Sequence, residues 1–451
     1  MLYDAESGDF TLALLGDVMP TRGLAVFREE RYLKLREMLV SADATFANLE
    51  TTVHEYLKGH HGISGGTYMT TEPHLLEELK WLGVSLVSCA NNHAFDYGAG
   101  GVLATMRYLD AAGIPHAGTG RNLREARSPA YLETPCGRVA LVAATATFPP
   151  PSIAGEQRPD VPGRAGVNPL RHSARYVVDP KSLEELRSIG AGLGFDAARE
   201  RRRLGDASAR AEKDNEYEFG GLRFAAGEGF GFQTASHPRD LEENLRQVEE
   251  ARRMADWVVA SLHCHEMGGP KLFTAQVRSE LEELADFAVD YAHRAVDAGA
   301  DLFVGHGPQV PLGVELYRDR PILYSVGSTI FQLETPRFLP EEAYARYGLG
   351  GEAGPADFAD TRYRNDTVGH PSDPAYWKQV TAVCRFRGKK LARIDLYPLD
   401  LGFGKPRSQR GRPMLAEPDL AEEIIGRVAR LSRRYGTEVS WRDGRGVILL
   451  L

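Results

Sequence analysis

The chain has 451 residues and a formal net charge of −8 at pH 7. Its length exceeds the roughly 250–300 residues at which a single hydrophobic core stops growing, and the negative charge argues against a nucleic-acid partner. The four cysteines are scattered, and the N-terminal segment has neither a basic start nor an apolar run that could span a membrane. We therefore expect a cytoplasmic protein with reduced thiols and no membrane partner.

The first third of the chain alternates strand and helix patterns. Runs of apolar residues predict strands, and the segments between them carry apolar residues at helical spacing. We predict strands at residues 11–19, 44–50, 84–92 and 138–147, and helices at residues 32–40, 73–82 and 102–112. Strands that alternate with helices are typical of a layered α/β sheet, so the predicted fold class is α/β.

The pattern changes at about residue 150 and resumes at about residue 240. Residues 149–166 are too rich in Pro and Gly for a helix or a strand. The highly charged residues 200–218 predict a solvated helix or loop, or alternatively a lid over the active site. We therefore predict a catalytic domain at residues 10–332 with an insertion at about 150–240, followed by a C-terminal extension, residues 333–451, that packs on this domain.

The second half of the chain returns to strands and helices. We predict helices at residues 241–254, 281–298 and 419–435, and strands at residues 257–266, 301–310, 321–329, 380–386 and 391–399. The last two strands are separated by a short polar turn, which predicts a hairpin.

Five short polar clusters, each at the end of an apolar run, carry the functional prediction. They read GDVM at 16–19, NLE at 48–50, NNHAFD at 91–96, HCHE at 263–266 and GHG at 305–307. In open α/β sheets, ligands bind at the carboxyl ends of the strands. Strand ends that together supply carboxylates, amides and imidazoles predict a divalent-metal site.

Each cluster also has a purely structural interpretation. Asp17 can be a turn residue, and Glu50 can be an exposed carboxylate at a strand end. The NNHAFD segment can cap a helix, although capping does not need the His93–Asp96 pair, in which the carboxylate could orient the ring of a proton-shuttling His93.

Two further clusters contain histidines in a functional context. His263 and His265 lie two residues apart, so a strand would place both on one face, beside a Glu. His306 lies between two glycines, which permit the backbone to approach a ligand closely, although a simple turn histidine is the alternative.

Taken together, these motifs resemble those of the capsule-synthesis CapA-like family, a branch of the calcineurin-like metallophosphatase fold. The resemblance covers most of residues 12–332 and implies a four-layered α/β/β/α sandwich. It also implies roles for the site residues. Asp17 would bind one metal, Glu50 would bridge the two metals, and the second metal would bind Asn92, His263 and His306. His93 would be the general acid–base, and His265 a further ligand or a second base.

The chain departs from the pattern of phosphatases of this fold at two positions, and from that of the related capsule-synthesis sequences at a third. Met19 stands where the first motif usually has His, Gln309 stands at or near a second His of the last motif, and Ser328 replaces an Asn. One metal site thereby loses nitrogen ligands, so we expect one firm site and one weak or vacant site, for Ca, Mn, Mg or Zn. Phosphomonoester hydrolysis through two metals is not expected.

Three functions remain open at this point. A branch of the family resembles the lasso-peptide tailoring enzyme that epimerises the C-terminal residue of a ribosomally made precursor, with His93 and His265 as two bases; the partner would be that peptide. Hydrolysis or transfer at γ-glutamyl amide bonds in poly-γ-glutamate metabolism is the alternative enzyme. A non-catalytic scaffold subunit of the same pathway is the third, and the sequence leaves the oligomeric state open.

Overall fold

The computed structural model describes residues 8–56, 62–64, 66–206, 215–269, 282 and 284–450. It is an α/β structure, which confirms the predicted fold class. None of the helices in these ranges is both long and apolar enough to cross a membrane. The α-helices are Glu30–Val40, Leu75–Leu82, Gly98–Ala112, Leu123–Arg127, Pro180–Gly192, Phe195–Gly205, Pro238–Met254, Asp286–Asp297, Glu341–Ala345, Pro355–Tyr363 and Pro418–Ser432.

The larger sheet has ten strands and is built around Phe10–Met19. Nearly every residue of this strand is buried, as expected for a central strand that is covered on both faces. Its parallel neighbours are Ala44–Leu49 and Ser328–Phe331, and its antiparallel neighbour is Lys378–Arg387. The remaining strands of this sheet are Leu86–Ser88, His116–Ala117, Lys390–Asp400, Met414–Leu415, Ser440–Arg442 and Arg445–Leu449.

A second sheet has six strands and packs against the first. Both sheets contribute to one apolar cluster, in which Leu12 and Phe46 of the larger sheet join Val259 and Val304 of the smaller one. The outer face of each sheet is covered by helices in a separate cluster. The six strands, in spatial order, are Val314–Tyr317, Arg320–Leu323, Leu302–His306, Trp257–His263, Gly137–Thr145 and Ala130–Thr134.

Most predicted elements occur in the structure, with shifted ends. One strand prediction is wrong: residues 321–329 form two strands, Arg320–Leu323 and Ser328–Phe331, which belong to different sheets. Gly327 lies between them at a φ of +80°, and its carbonyl accepts a hydrogen bond from the amide of Asp17. The positive φ favours glycine at this crossing, and a Cβ at Gly327 would lie 1.7 Å from Gln379 Oε1 and would displace that side chain.

The predicted insertion contains a small sheet of its own. Its strands are Glu216–Phe219, Leu222–Ala226, His172–Val178 and Gly231–Ser236. The charged stretch at residues 200–218 includes the end of helix Phe195–Gly205, which buries no residue, as a solvated helix should. Its last residues form a strand rather than a loop, and residues 207–214 lie outside the described part. The lid function of this segment stays a prediction.

The C-terminal segment is part of the larger sheet. The predicted hairpin forms as Lys378–Arg387 and Lys390–Asp400. Three later strands join the same sheet, so five of its strands come from residues 333–451. This is the segment predicted to pack on the catalytic domain. Because Lys378–Arg387 pairs directly with the first strand, the C-terminal segment shares hydrogen bonds and core with residues 10–332.

We predict that Trp257→Ala lowers the free energy of unfolding by about 3–5 kcal/mol. Trp257 is 1% exposed and packs between Phe10, at a ring-centroid distance of 4.8 Å, and Phe386, at 5.1 Å. It thus joins the first strand, the second sheet and the C-terminal segment. Urea denaturation measures the effect, with Trp441→Ala as control because Trp441 is 39% exposed. An equal loss in both variants would contradict this shared core.

Candidate metal centre

The carboxyl ends of the parallel strands of both sheets meet at one edge of the molecule. Asp17 belongs to the first strand, and Glu50 directly follows the second. His263 and His306 are the last residues of two paired strands of the smaller sheet and lie directly opposite each other. Strand pairing therefore brings together residues that are up to about 290 positions apart in the sequence.

Asp17, His263 and His306 form a fully buried group that could hold a metal ion. One donor atom from each lies within 4.8 Å of the others. His263 Nδ1 lies 3.8 Å from Asp17 Oδ1, and His306 Nδ1 lies 3.7 Å from the same oxygen. The two Nδ1 atoms are 3.0 Å apart. Two nitrogens on one tetrahedral zinc ion would be about 3.3 Å apart, so this spacing fits a shared ion.

Ser261 orients one of these rings. Its Oγ lies 2.7 Å from His306 Nε2. When His306 donates from Nε2 to this hydroxyl, the lone pair of Nδ1 faces Asp17 and His263. Such a partner on the second ring nitrogen is typical of metal-binding histidines.

Glu50, His263 and His265 form a second possible metal-binding group, which shares His263 with the first. His263 Nε2 lies 3.8 Å from Glu50 Oε1 and 3.0 Å from His265 Nε2. His265 is only partly buried, and its backbone amide donates to Thr147 Oγ1. Two groups around one imidazole are consistent with a divalent metal but do not identify it.

His93 is held at the border of the second group. Its Nδ1 lies 2.7 Å from Asp96 Oδ2, which also accepts a hydrogen bond from the amide of Met69. Its Nε2 lies 3.9 Å from Glu50 Oε1. The carboxylate thus fixes the ring with Nε2 towards Glu50.

The predicted ligand Asn92 directly precedes His93 in the chain. Its Oδ1 is buried and accepts no hydrogen bond from a described residue. A buried acceptor of this kind is rare unless a ligand or water satisfies it. The ligand role of Asn92 stays a prediction, as do the roles of the other site residues.

Sequence analysis missed Asn48, which lies at the centre of this network. Asn48 Nδ2 donates to Asp17 Oδ1 at 2.8 Å, and Asn48 Oδ1 accepts from Asn91 at 3.2 Å. The sequence feature that could have indicated Asn48 is its position in the NLE motif, two residues before Glu50. Ser261 was also missed, because a serine inside an apolar strand carries no recognisable motif.

Burial shifts the ionisation of the first group. It raises the pKa of the Asp17 carboxyl from 3.8 to about 7, although hydrogen bonds from Asn48 and Gly307 oppose this rise. Burial also lowers the pKa of His306 to about 3 and that of His263 well below its ordinary value. A bound cation would offset the cost of burying the carboxylate and would use the imidazole lone pairs.

Met19 and Gln309, which stand at or near histidine positions of the phosphatase pattern, both have other contacts. Met19 is buried in an apolar cluster with Phe331 and Trp377. The backbone carbonyl of Gln309 accepts from Gln379, at a residue with a positive φ.

Arg22, the cation next to the first motif, is engaged elsewhere. Its two Nη atoms donate to the backbone carbonyls of Ser408 and Arg410, and its Nε donates to Thr335 Oγ1 at 3.0 Å. The guanidinium of Arg22 therefore already donates hydrogen bonds to two other loops. These bonds make it unfavourable for Arg22 to bind a phosphate.

We predict that Asp17→Asn reduces the affinity for divalent ions by at least about 10-fold, because the variant loses the only carboxylate of the first group.

In metal-free protein, the variant should gain stability relative to wild type as the pH rises. The pKa of Asp17 is raised on folding, so its charge destabilises the fold increasingly between pH 3.8 and about 7. Isothermal titration and urea denaturation at pH 5 and 8 measure both effects. Unchanged ion affinity would exclude Asp17 as a ligand.

Comparison with known proteins identifies the family of the chain. Residues 11–333 match the family described as bacterial capsule synthesis protein PGA_cap. An uncharacterised protein, y4uA, of Sinorhizobium fredii is 34% identical, over 98% of this chain and 93% of its own length. A crystal structure of a hypothetical protein from Thermus thermophilus covers 90% of this chain and 96% of its own, with 16% identity and a TM-score of 0.32, too low to carry an argument.

Relatives with functional names match at lower identity. A probable polyglutamine synthesis accessory protein of Mycobacterium tuberculosis is 24% identical, over 89% of this chain and 76% of its own length. The capsule biosynthesis protein CapA of Bacillus anthracis is also 24% identical, over 72% of this chain and 61% of its own length. The family match spans well over half of the chain, and the resemblance inferred from the motifs is thereby confirmed. The chain belongs to the PGA_cap family of bacterial capsule synthesis proteins.

Proposed function

We propose that this protein is a metal-dependent enzyme that hydrolyses or transfers amide bonds of a γ-glutamyl polymer or peptide. The observation that carries the proposal is the position of His93. Its Nδ1 is held by Asp96, and its Nε2 points towards Glu50 at the border of a metal-binding group. The names of the CapA relatives support a substrate from capsule biosynthesis.

The donor atoms favour a particular class of metal. Asp17, His263 and His306 offer two imidazole nitrogens and one carboxylate. Mixed nitrogen and oxygen ligands suit Zn or Mn better than Ca or Mg, which prefer oxygen ligands alone. An ion bound there would act as a Lewis acid on the carbonyl oxygen of the substrate.

His93 would carry the proton transfer. With Nδ1 hydrogen-bonded to Asp96, Nε2 is free to take a proton from an attacking water or acceptor group. The same nitrogen then returns the proton to the leaving amide nitrogen. His93 is 8% exposed, so bulk water has little access to this transfer.

The proposed architecture is the four-layered α/β/β/α sandwich of metallophosphatases. Two features support it: the apolar cluster shared by the two sheets, and the helices packed on their outer faces.

Epimerisation of the C-terminal residue of a lasso-type precursor peptide is the second candidate. A second imidazole, that of His265, favours this reaction. His265 is partly exposed and lies on the opposite side of the His263 ring from Asp17. One base would remove the Cα proton, and the other would return a proton to the opposite face. The short contact between His265 Nε2 and His263 Nε2 makes His265 less available as a base, so we place this function second.

We predict that His93→Ala lowers kcat by at least about 100-fold while its metal content stays at the wild-type level, because general acid–base catalysis contributes this much. Asp96→Asn should lower kcat less and shift its pH profile, since Asp96 only positions the ring. Metal analysis and turnover of poly-γ-glutamate measure both effects. His237→Ala is the control, as this side chain is exposed. Loss of metal from His93→Ala would make His93 a ligand and refute its proposed role.

Isotope labelling in the active enzyme separates the candidate reactions. Hydrolysis in ¹⁸O water should place ¹⁸O in a new carboxylate, whereas epimerisation in heavy water should add one deuterium at Cα without cleavage. EDTA should abolish either reaction. If capsule assembly depends on this chain but is unaffected by His93→Ala and EDTA, the scaffold function replaces both enzymatic proposals.

A further inference from the structure

His263 faces two different sets of potential ligands with its two ring nitrogens. Nδ1 lies near His306 and Asp17, whereas Nε2 lies near His265 and Glu50. Each side offers a second imidazole at 3.0 Å and a carboxylate oxygen at 3.8 Å. A neutral imidazole has a lone pair on only one nitrogen, so the ring can serve one set at a time.

The neighbouring amides determine which nitrogen carries the lone pair. The backbone amide of His93 donates to Asn91 Oδ1 at 3.1 Å, and Asn91 Nδ2 donates to the backbone carbonyl of Leu49 at 2.8 Å. A backbone N–H can only donate and a carbonyl can only accept. The orientation of the Asn91 amide is therefore fixed.

The Asn91 amide in turn fixes the orientation of the Asn48 amide. Asn91 Nδ2 also donates to Asn48 Oδ1, so the opposite side of the Asn48 amide is its nitrogen. Asn48 Nδ2 donates one hydrogen to Asp17 Oδ1 at 2.8 Å and directs the other at His263 Nδ1, 3.3 Å away. His263 Nδ1 is then the acceptor, and the ring hydrogen lies on Nε2, directed at His265 Nε2.

We propose that Asn48 selects Nδ1 of His263 as the metal-binding nitrogen. This inference rests on the proposed metal dependence and deepens it. The ion binds Asp17, His263 and His306, while His265 accepts the hydrogen of His263 Nε2 and is not a ligand. At 3.3 Å, the hydrogen bond from Asn48 to His263 Nδ1 is longer and weaker than the 2.8 Å bond to Asp17, so an ion can replace it while the bond to Asp17 remains.

Cadmium NMR on the full-length chain tests the assignment. Protein with ¹⁵N-labelled histidine is loaded with ¹¹³Cd²⁺, and the ¹¹³Cd–¹⁵N couplings are assigned by comparison with His265→Gln and His306→Gln. We expect couplings to Nδ1 of His263 and of His306, and none to His265. Coupling to Nε2 of His263 and to His265 would overturn the inference but leave metal dependence standing. Failure of the wild type to bind Cd²⁺, Zn²⁺ or Mn²⁺ would refute the proposed metal dependence itself.

Affinities of the same variants give a second test. His306→Gln should weaken Cd²⁺ binding by more than about 100-fold, whereas His265→Gln should weaken it by about 10- to 100-fold, as expected for a hydrogen-bond partner of a ligand rather than a ligand. Equal losses in both variants would contradict the selection of Nδ1.

Asn48→Ala tests the selecting residue directly. Without its amide, the spectrum should show a mixture of Nδ1 and Nε2 coordination at His263, and the affinity should fall about 10-fold. Asn244→Ala is the matched control, because Asn244 is also a buried amide and donates to the carbonyl of Asp240. Pure Nδ1 coordination in Asn48→Ala would show that Asn48 does not make the selection. If Asn48→Ala fails to fold, the two glutamine variants decide.

Discussion

A carboxylate buried between two sheets imposes the central constraint on this molecule. Asp17 is fully buried beside two buried histidines, and burial raises the pKa of its carboxyl to about 7. The fold surrounds this group with hydrogen-bond donors from Asn48 and the backbone of Gly307, which lower the cost without removing it. A bound cation would offset the cost of burying this carboxylate, and the group of Asp17, His263 and His306 is consistent with a metal ion.

The arrangement depends on the position of the first strand. Phe10–Met19 lies in the middle of the larger sheet, with one neighbour early in the chain, Ala44–Leu49, and two late in it, Ser328–Phe331 and Lys378–Arg387. Its carboxyl end is held on both edges, because Ala44–Leu49 and Ser328–Phe331 pair with the backbone at Asp17 and the Asp17 amide donates to the carbonyl of Gly327. Rigid support of this kind is what a metal site or an acid–base pair requires, since both depend on atoms placed within fractions of an ångström.

Much of this site could be predicted from the sequence because strand ends are easily recognised. Asp17, Glu50, His263 and His306 each follow an apolar run, and parallel strands bring such residues to one edge. Asn48 and Ser261 could not be predicted in the same way, since their functions depend on the atoms that they face. The division of residues 321–329 between two sheets was missed because a continuous apolar run gives no information on which sheet its halves join. The sheet of the insertion was missed because its strands carry few strongly apolar residues: Gly231–Ser236 reads GFQTAS and has no fully buried residue.

The central position of the first strand has a consequence for biosynthesis. On the ribosome, Phe10–Met19 can pair early with Ala44–Leu49, but its other edge has to wait for Ser328–Phe331 and Lys378–Arg387. For most of translation, an apolar strand therefore has an open edge, which is a hazard for aggregation. The His263–His306 side of the site also cannot close on Asp17 before more than 300 residues have been made. Chaperones that shield nascent chains should thus matter more for this protein than its final, well-buried core suggests.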